Sequence, residues 1–156
     1  MKKRNAASAA RYQALLQLLR TADTVWNSSR VFFARWDISP SQFNVLNLLR
    51  GEPRGLSQIE VGRQLIMHRS NVTGLIDRLE KRGLVRREDA ANDRRAYRLV
   101  LTAQGRGLMN RIIPHYYAMA ESIWVGFSAS RAHELASALK QLSRRADELL
   151  KSASDP

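Results

Sequence analysis

The spacing of helix start and stop signals between Ser39 and Gly83 leaves room only for short helices joined by tight turns, and this constrains the fold more than any other feature. Ser39-Pro40-Ser41-Gln42 supplies a serine to cap the first backbone N–H groups, a proline where no N–H partner is needed, and a glutamine that can reach back to the cap. The helix it opens should bury Phe43, Val45, Leu46 and Leu49 and end at Gly51-Glu52-Pro53-Arg54-Gly55. Ser57-Gln58-Ile59-Glu60 repeats the device and opens a helix running to about Leu65. After a brief break, Val72, Leu75, Ile76 and Leu79 mark the inner side of another helix, with Gly83 placed as its left-handed cap. Helix, short turn and helix at this length is the helix-turn-helix pattern. Leu84-Val85-Arg86-Arg87 and the run Arg95 to Leu101 then read as two strands joined by a charged loop from Glu88 to Asp93. The fold class is mainly α with a small β-hairpin.

Long helices flank this segment. Residues 1–10 read as a loose basic arm. Across residues 11–37, Leu15, Leu19, Ala22, Trp26, Ser29, Phe33 and Trp36 recur in steps of four and three, which gives an amphipathic helix with a wide apolar face. Residues 103–152 carry two more. Thr102 is the expected cap of the first, which takes in Leu108, Ile112, Tyr116, Ala120, Ile123 and Phe127 and should kink at Pro114. Ser130 is the expected cap of the second, where Leu135, Leu139, Leu142, Ala146 and Leu149 keep coiled-coil spacing. These outer helices hold more apolar surface than one small domain needs.

Composition narrows the function. The 156 residues include 26 Lys and Arg against 14 Asp and Glu, a formal net charge of +12, and residues 50–100 alone hold 12 basic and 7 acidic residues. Such a surplus calls for nucleic acid or an anionic membrane surface, and charge does not choose between them. The absence of cysteine excludes a disulfide scaffold, cysteine-ligated metal and thiol chemistry. No apolar run approaches the roughly 18 residues of a membrane span, and Arg11 and Arg20 interrupt what would have to be a signal peptide, so a cytoplasmic protein is expected. His68, His115 and His133 stand too far apart in sequence for a histidine-rich zinc site. With no phosphate-binding glycine loop, nucleophile elbow or paired-carboxylate motif, neither a cofactor nor enzymatic activity is expected.

The segment that carries chemistry is residues 56–83. A helix entering the major groove must present polar side chains at its N-terminal end and keep apolar ones inside, as His68, Arg69, Ser70, Asn71 and Thr73 would do. Arginine pairs with guanine and asparagine with adenine, each bidentate pair giving about 1–3 kcal/mol of discrimination. At the hairpin tip, Arg94 and Arg95 can reach an adjacent minor groove, with Asp93 bracing one of them.

Three blocks of sequence resemble the MarR (multiple antibiotic resistance regulator) family of winged helix-turn-helix transcription factors. They are Leu56-Ser57-Gln58-x-Glu60; Val72-Thr73-x-Leu75-Ile76-Asp77-Arg78-Leu79-Glu80-Lys81-Arg82-Gly83-Leu84-Val85-x-Arg87; and Asp93-Arg94-Arg95-Ala96 followed by Leu101-Thr102-x-x-Gly105. The resemblance implies a winged helix-turn-helix domain over residues 38–102. It implies a homodimer interlocked through residues 11–37 and 103–152, and a repressor acting on a palindromic operator in double-stranded DNA. Ser57, Gln58 and Arg78 would contact phosphates alongside the wing arginines, Asp77 would pair with a wing arginine, and Arg69, Asn71 and Thr73 would read bases. Ile66, His68 and Gly74 depart from the residues common in the family, which shifts the expected base contacts toward Arg69 and Asn71. The resemblance further implies a small aromatic or anionic effector in a crevice lined by Trp26, Arg30, Phe33, Trp36, Tyr116 and Tyr117, although aromatics at this spacing also suit a dimer core. A basic RNA- or membrane-interaction module is the alternative; it accounts for the charge but not for the ordered helices and hairpin.

Overall fold

The structure, a computed structural model, describes residues 2–65, 72–90 and 93–154, with side chains for 7–65, 72–89 and 97–153. Its elements are α1 (Lys2–Ala34), α2 (Pro40–Gly51), α3 (Gln58–Gln64), α4 (Val72–Lys81), β1 (Val85–Ala90), β2 (Asp93–Leu101), α5 (Ala103–Ile123) and α6 (Ala129–Ser154). The chain divides into two compact units, Met1–Ile112 and Ile113–Pro156.

In the first unit both capping boxes form as the sequence dictates. Gln42 N donates to Ser39 Oγ at 3.2 Å and Ser39 N to Gln42 Oε1 at 2.8 Å, while Glu60 N and Ser57 N make the equivalent pair at 3.2 and 2.7 Å. Each box satisfies two N–H groups that a helix start otherwise leaves unpaired. The buried side of α4 is Val72, Leu75, Ile76 and Leu79, the four positions expected from its periodicity. They join Phe43, Val45, Leu46 and Leu49 of α2, Val61 of α3, and Leu108, Met109 and Ile112 of α5 in one apolar core, which Phe33 enters by stacking on Phe43 with 4.3 Å between ring centroids.

β1 and β2 pair antiparallel, with Val85 opposite Leu101 and Asp89 opposite Tyr97. Leu56 adds a single antiparallel bridge to β2: its N–H donates to Leu99 O at 3.1 Å and its carbonyl accepts from Leu99 N at 2.7 Å. At the base of the hairpin, Thr102 Oγ1 donates to Gly83 O at 2.6 Å and accepts from Gly105 N at 3.0 Å, joining the end of α4 to the start of α5. Arg82 closes the opposite side. Its guanidinium donates to the Asp37 carbonyl and lies 3.3 Å from the Asp37 carboxylate, holding the turn between α1 and α2, where Asp37 adopts a positive φ of 53°.

Several boundaries differ from the sequence reading. Helix α1 begins at Lys2, inside the segment expected to be a loose arm; the four alanines between Ala6 and Ala10 have the helical propensity to carry the helix through it. The strands extend through Glu88, Asp89, Ala90 and Asp93, inside the segment expected to be loop. A two-stranded ribbon with both faces near solvent needs no apolar alternation at its outer end, and the rung Glu88 opposite Arg98 sets unlike charges across the ladder.

In the second unit, α5 continues through Pro114 and stops at Ile123, leaving Phe127 in the following turn. The cap of α6 is Ser128, whose hydroxyl accepts from Arg131 N at 3.3 Å; Ser130 sits inside the first turn and donates to Glu134 at 3.0 Å. Phe127 is held by the edge of Trp124, with ring centroids 5.7 Å apart, and by the Arg131 guanidinium 4.9 Å from its ring centre. Along α6, Leu135, Leu142 and Leu149 are exposed at intervals of seven, and along α1 Tyr12, Leu15 and Leu19 are exposed at steps of three and four.

Candidate nucleic-acid interface

The two helices of the motif present their polar residues on the side away from the core. On α4, Thr73, Asp77, Arg78 and Lys81 are exposed beside the four buried apolar positions. Ser57 caps α3, and Gln58 occupies that helix's first turn. Of the residues expected to contact DNA, His68, Arg69, Ser70 and Asn71 lie outside the described residues, as do the side chains of Asp93, Arg94 and Arg95. The backbone of those last three opens β2 at the hairpin tip.

What the structure adds is a ring of polar contacts connecting α4, the hairpin and α3. Arg87 of β1 donates to Asp77 Oδ1 at 2.6 Å and to Glu80 Oε2, so two carboxylates of α4 hold one wing guanidinium. The guanidinium carbon lies 5.1 Å from the ring centre of Tyr97 on β2. Tyr97 donates its O–H to Gln58 Oε1 at 2.6 Å, and Gln58 Nε2 donates to Thr73 Oγ1 at 2.6 Å. The hydrogen bond to Asp77, and after it the neighbouring Tyr97, pushes the Arg87 pKa further above its ordinary value. Asp77 thus pairs with an arginine at the base of the wing. Gln58 and Thr73, expected to face phosphate and base independently, are bonded to each other. No sequence pattern marks Arg87, Glu80 and Tyr97 as partners; the one local signal is the placement of Glu80 and Arg87 on either side of Gly83.

Charge is partly consumed inside the domain. Arg98 donates to the carbonyls of Arg54 at 2.9 Å and Gly55 at 2.5 Å and lies 3.7 Å from Glu60, while Arg86 is bonded to Glu88. The Ser57 cap holds the Glu60 carboxyl below its ordinary pKa, chiefly through the Ser57 backbone N–H. A depressed folded-state pKa stabilises the fold above the ordinary carboxylate range, and that contribution is lost as pH falls through the lowered value. Glu60→Gln, whose amide oxygen can still accept from Ser57 N, should therefore show a shallower loss of thermal stability between pH 5 and pH 3 than the unmodified chain. Identical pH profiles would remove this role.

The six residues expected to line an effector crevice do not behave alike. Phe33 is only 1% exposed and belongs to the core, where its ring is covered by Phe43. Trp36 packs on Phe32 with centroids 5.0 Å apart, and Trp26 is half-buried. Arg30 lines an open cavity of about 330 Å³ together with Ala34, Asp37, Ile38, Ser39, Pro40 and Gln42. Tyr116 and Tyr117, with ring centroids 6.4 Å apart, belong to the second unit.

Comparison with known proteins agrees with this geometry. The family model described as MarR family matches residues 36–96, which run from the turn before α2 through β1 into the first residues of β2. The HTH-type transcriptional regulator PapX of Escherichia coli is 32% identical over 116 residues, 73% of this chain and 71% of its own length. Among solved structures, BpsR of Bordetella bronchiseptica, whose DNA binding is regulated by 6-hydroxynicotinic acid, aligns with a TM-score of 0.72 and 25% identity over 81% of this chain and 91% of its own. The transcriptional repressor CouR, bound to a 23-mer DNA duplex, aligns with a TM-score of 0.68 and 29% identity over 83% of this chain and 89% of its own. The shared sequence, the winged helix-turn-helix architecture and the polar face of α4 lead to one conclusion: the chain belongs to the MarR family of transcriptional regulators.

Proposed function

We propose that the protein is a ligand-responsive repressor that binds an inverted-repeat operator as a homodimer. The observation that carries this reading is the exposed face of α4, tied to the hairpin through Asp77, Glu80 and Arg87, so that helix and wing meet DNA as one body. Arg69, Asn71 and Thr73 read bases in the major groove; Arg78, Ser57 and the wing residues Arg94 and Arg95 hold phosphates or the minor groove, with Asp93 bracing the tip. CouR, a relative seen on duplex DNA, supports the partner. The exposed leucines at intervals of seven on α6, with the apolar row of α1, supply the surface for a second copy. Arg30 beside its cavity suits an anionic effector, and BpsR, which responds to an aromatic acid, supports that class.

Selection of bound duplexes from a random pool tests the proposal. Recovered sequences should share an inverted repeat whose half-sites are separated by about one helical turn. Asn71→Ala should then relax preference at one position per half-site by about tenfold while other positions hold. Recovery of no duplex, or equal binding to RNA or anionic vesicles, would favour the basic interaction module instead. An unchanged ranking of operator variants with Asn71→Ala would remove that residue from base reading.

A further inference from the structure

Resting on the DNA-binding reading, we propose that Tyr97 and Gln58 are positioning residues that fix the Thr73 hydroxyl as a hydrogen-bond donor toward DNA. The contacts run in one direction from the wing to the exposed side of α4. Asp77 and Glu80 hold Arg87, whose cationic group lies against the Tyr97 ring. With its ring beside that cation, Tyr97 has one O–H to donate. That donor goes to Gln58 Oε1 at 2.6 Å. A carboxamide has one oxygen and one nitrogen, so once its oxygen faces Tyr97 its N–H faces Thr73, at 2.6 Å. Thr73 Oγ1 accepts that bond, so its proton is not given to Gln58, and the proposal assigns that proton to an acceptor on DNA. Successive bonds in one sense polarise each other and reinforce the direction.

The consequence is a rule for what Thr73 recognises. It takes an acceptor: a phosphate oxygen, a purine N7, a guanine O6 or a thymine O4. Without the phenolic O–H, the Gln58 amide is free to turn over and accept from Thr73, and the preference for an acceptor is lost. Tyr97 is on β2, 39 residues from Gln58 in sequence, so the wing takes part in reading a groove that its own side chains need not enter.

The test uses a duplex selected by the full-length protein, a panel of its single base-pair substitutions, and duplexes carrying one methylphosphonate at each phosphate in turn. Thr73→Val keeps the side-chain shape without the hydroxyl, and Tyr97→Phe keeps the ring beside Arg87 without the O–H. Thr73→Val should lose about five- to tenfold of discrimination at one site. That site is a base position if the acceptor is on a base, and one phosphate if it is on the backbone. Tyr97→Phe should lose discrimination at the same site and no other, and the double variant should be no worse than Thr73→Val alone. A merely structural role for Tyr97 would instead weaken binding evenly across the panel with a lower thermal midpoint. Even weakening, independent losses in the double variant, or no loss with Thr73→Val would each overturn the proposal. Because the panel requires a protein that has already selected a duplex, these failures are distinct from failure of DNA binding itself.

Discussion

Gly105→Ala is expected to destabilise the first unit by about 3 kcal/mol, the upper end of ordinary overpacking, while Gly107→Ala, two residues further along the same helix, should stabilise it by about 0.5–1 kcal/mol. A Cβ at Gly105 would lie 2.1 Å from the Leu84 carbonyl oxygen and 3.1 Å from Leu101 Cδ2. Neither neighbour can yield cheaply. The Leu84 carbonyl accepts from Thr102 N at 3.2 Å, and Leu84 N donates to Leu79 O at 3.0 Å, so the residue is pinned to the start of α5 and to α4 at once. Leu84 and Leu101 are themselves buried in the core. At Gly107 a Cβ meets nothing within 4 Å, and replacing a helical glycine by alanine there removes only the backbone freedom of the unfolded chain. Against a typical total of about 5–15 kcal/mol, the first change threatens folding at physiological temperature and the second is silent for function. Urea midpoints for the two variants should move in opposite directions from the unmodified chain. A Gly105→Ala midpoint no lower than that of Gly107→Ala would mean that α5 does not approach the α4–β1 turn this closely.

The parts of the fold that were legible in the sequence are those set by local chemistry. Both capping boxes and the buried positions of α4 depend on residues three or four apart, which a periodicity exposes directly. The limits of the hairpin were not legible, because Glu88, Asp89 and Asp93 sit in strand conformation without an apolar face to mark them. Nor was the cap of α6. Ser128 and Ser130 are equally good capping residues, and the turn through Gly126, at a positive φ of 85°, precedes the one that is used. Phe33 shows a limit of periodicity. A wide apolar stripe on α1 says which residues leave water and not which are covered by α2, so core and crevice look alike until Phe43 is seen stacked on it. Most of the polar ring around Arg87 lies beyond pattern reading: Gln58 meets Tyr97 across 39 residues, and only the partnership of Asp77 with some arginine could be anticipated.

Raising salt from 50 to 200 mM should lower operator affinity by about a thousandfold or more if six or more phosphates are neutralised per dimer, and the arginines should divide into two classes by their effect on that slope. The formal charge of +12 does not predict the slope, because part of it is spent within the fold. Arg82 serves Asp37, Arg86 serves Glu88, and Arg98 serves the Arg54 and Gly55 carbonyls. These release few counterions on binding, so Arg82→Gln should lower the thermal midpoint and leave the salt slope unchanged. Arg94 and Arg95 open β2 at the tip, where a cation has reach. Arg94→Ala and Arg95→Ala should each weaken binding to every duplex alike, and each should reduce the slope by about 1 for every phosphate lost per chain pair. The contrast rests on position, since all three variants remove one positive charge from each chain. Equal slopes for Arg82→Gln and Arg94→Ala would show that net charge, and not the wing, sets the affinity.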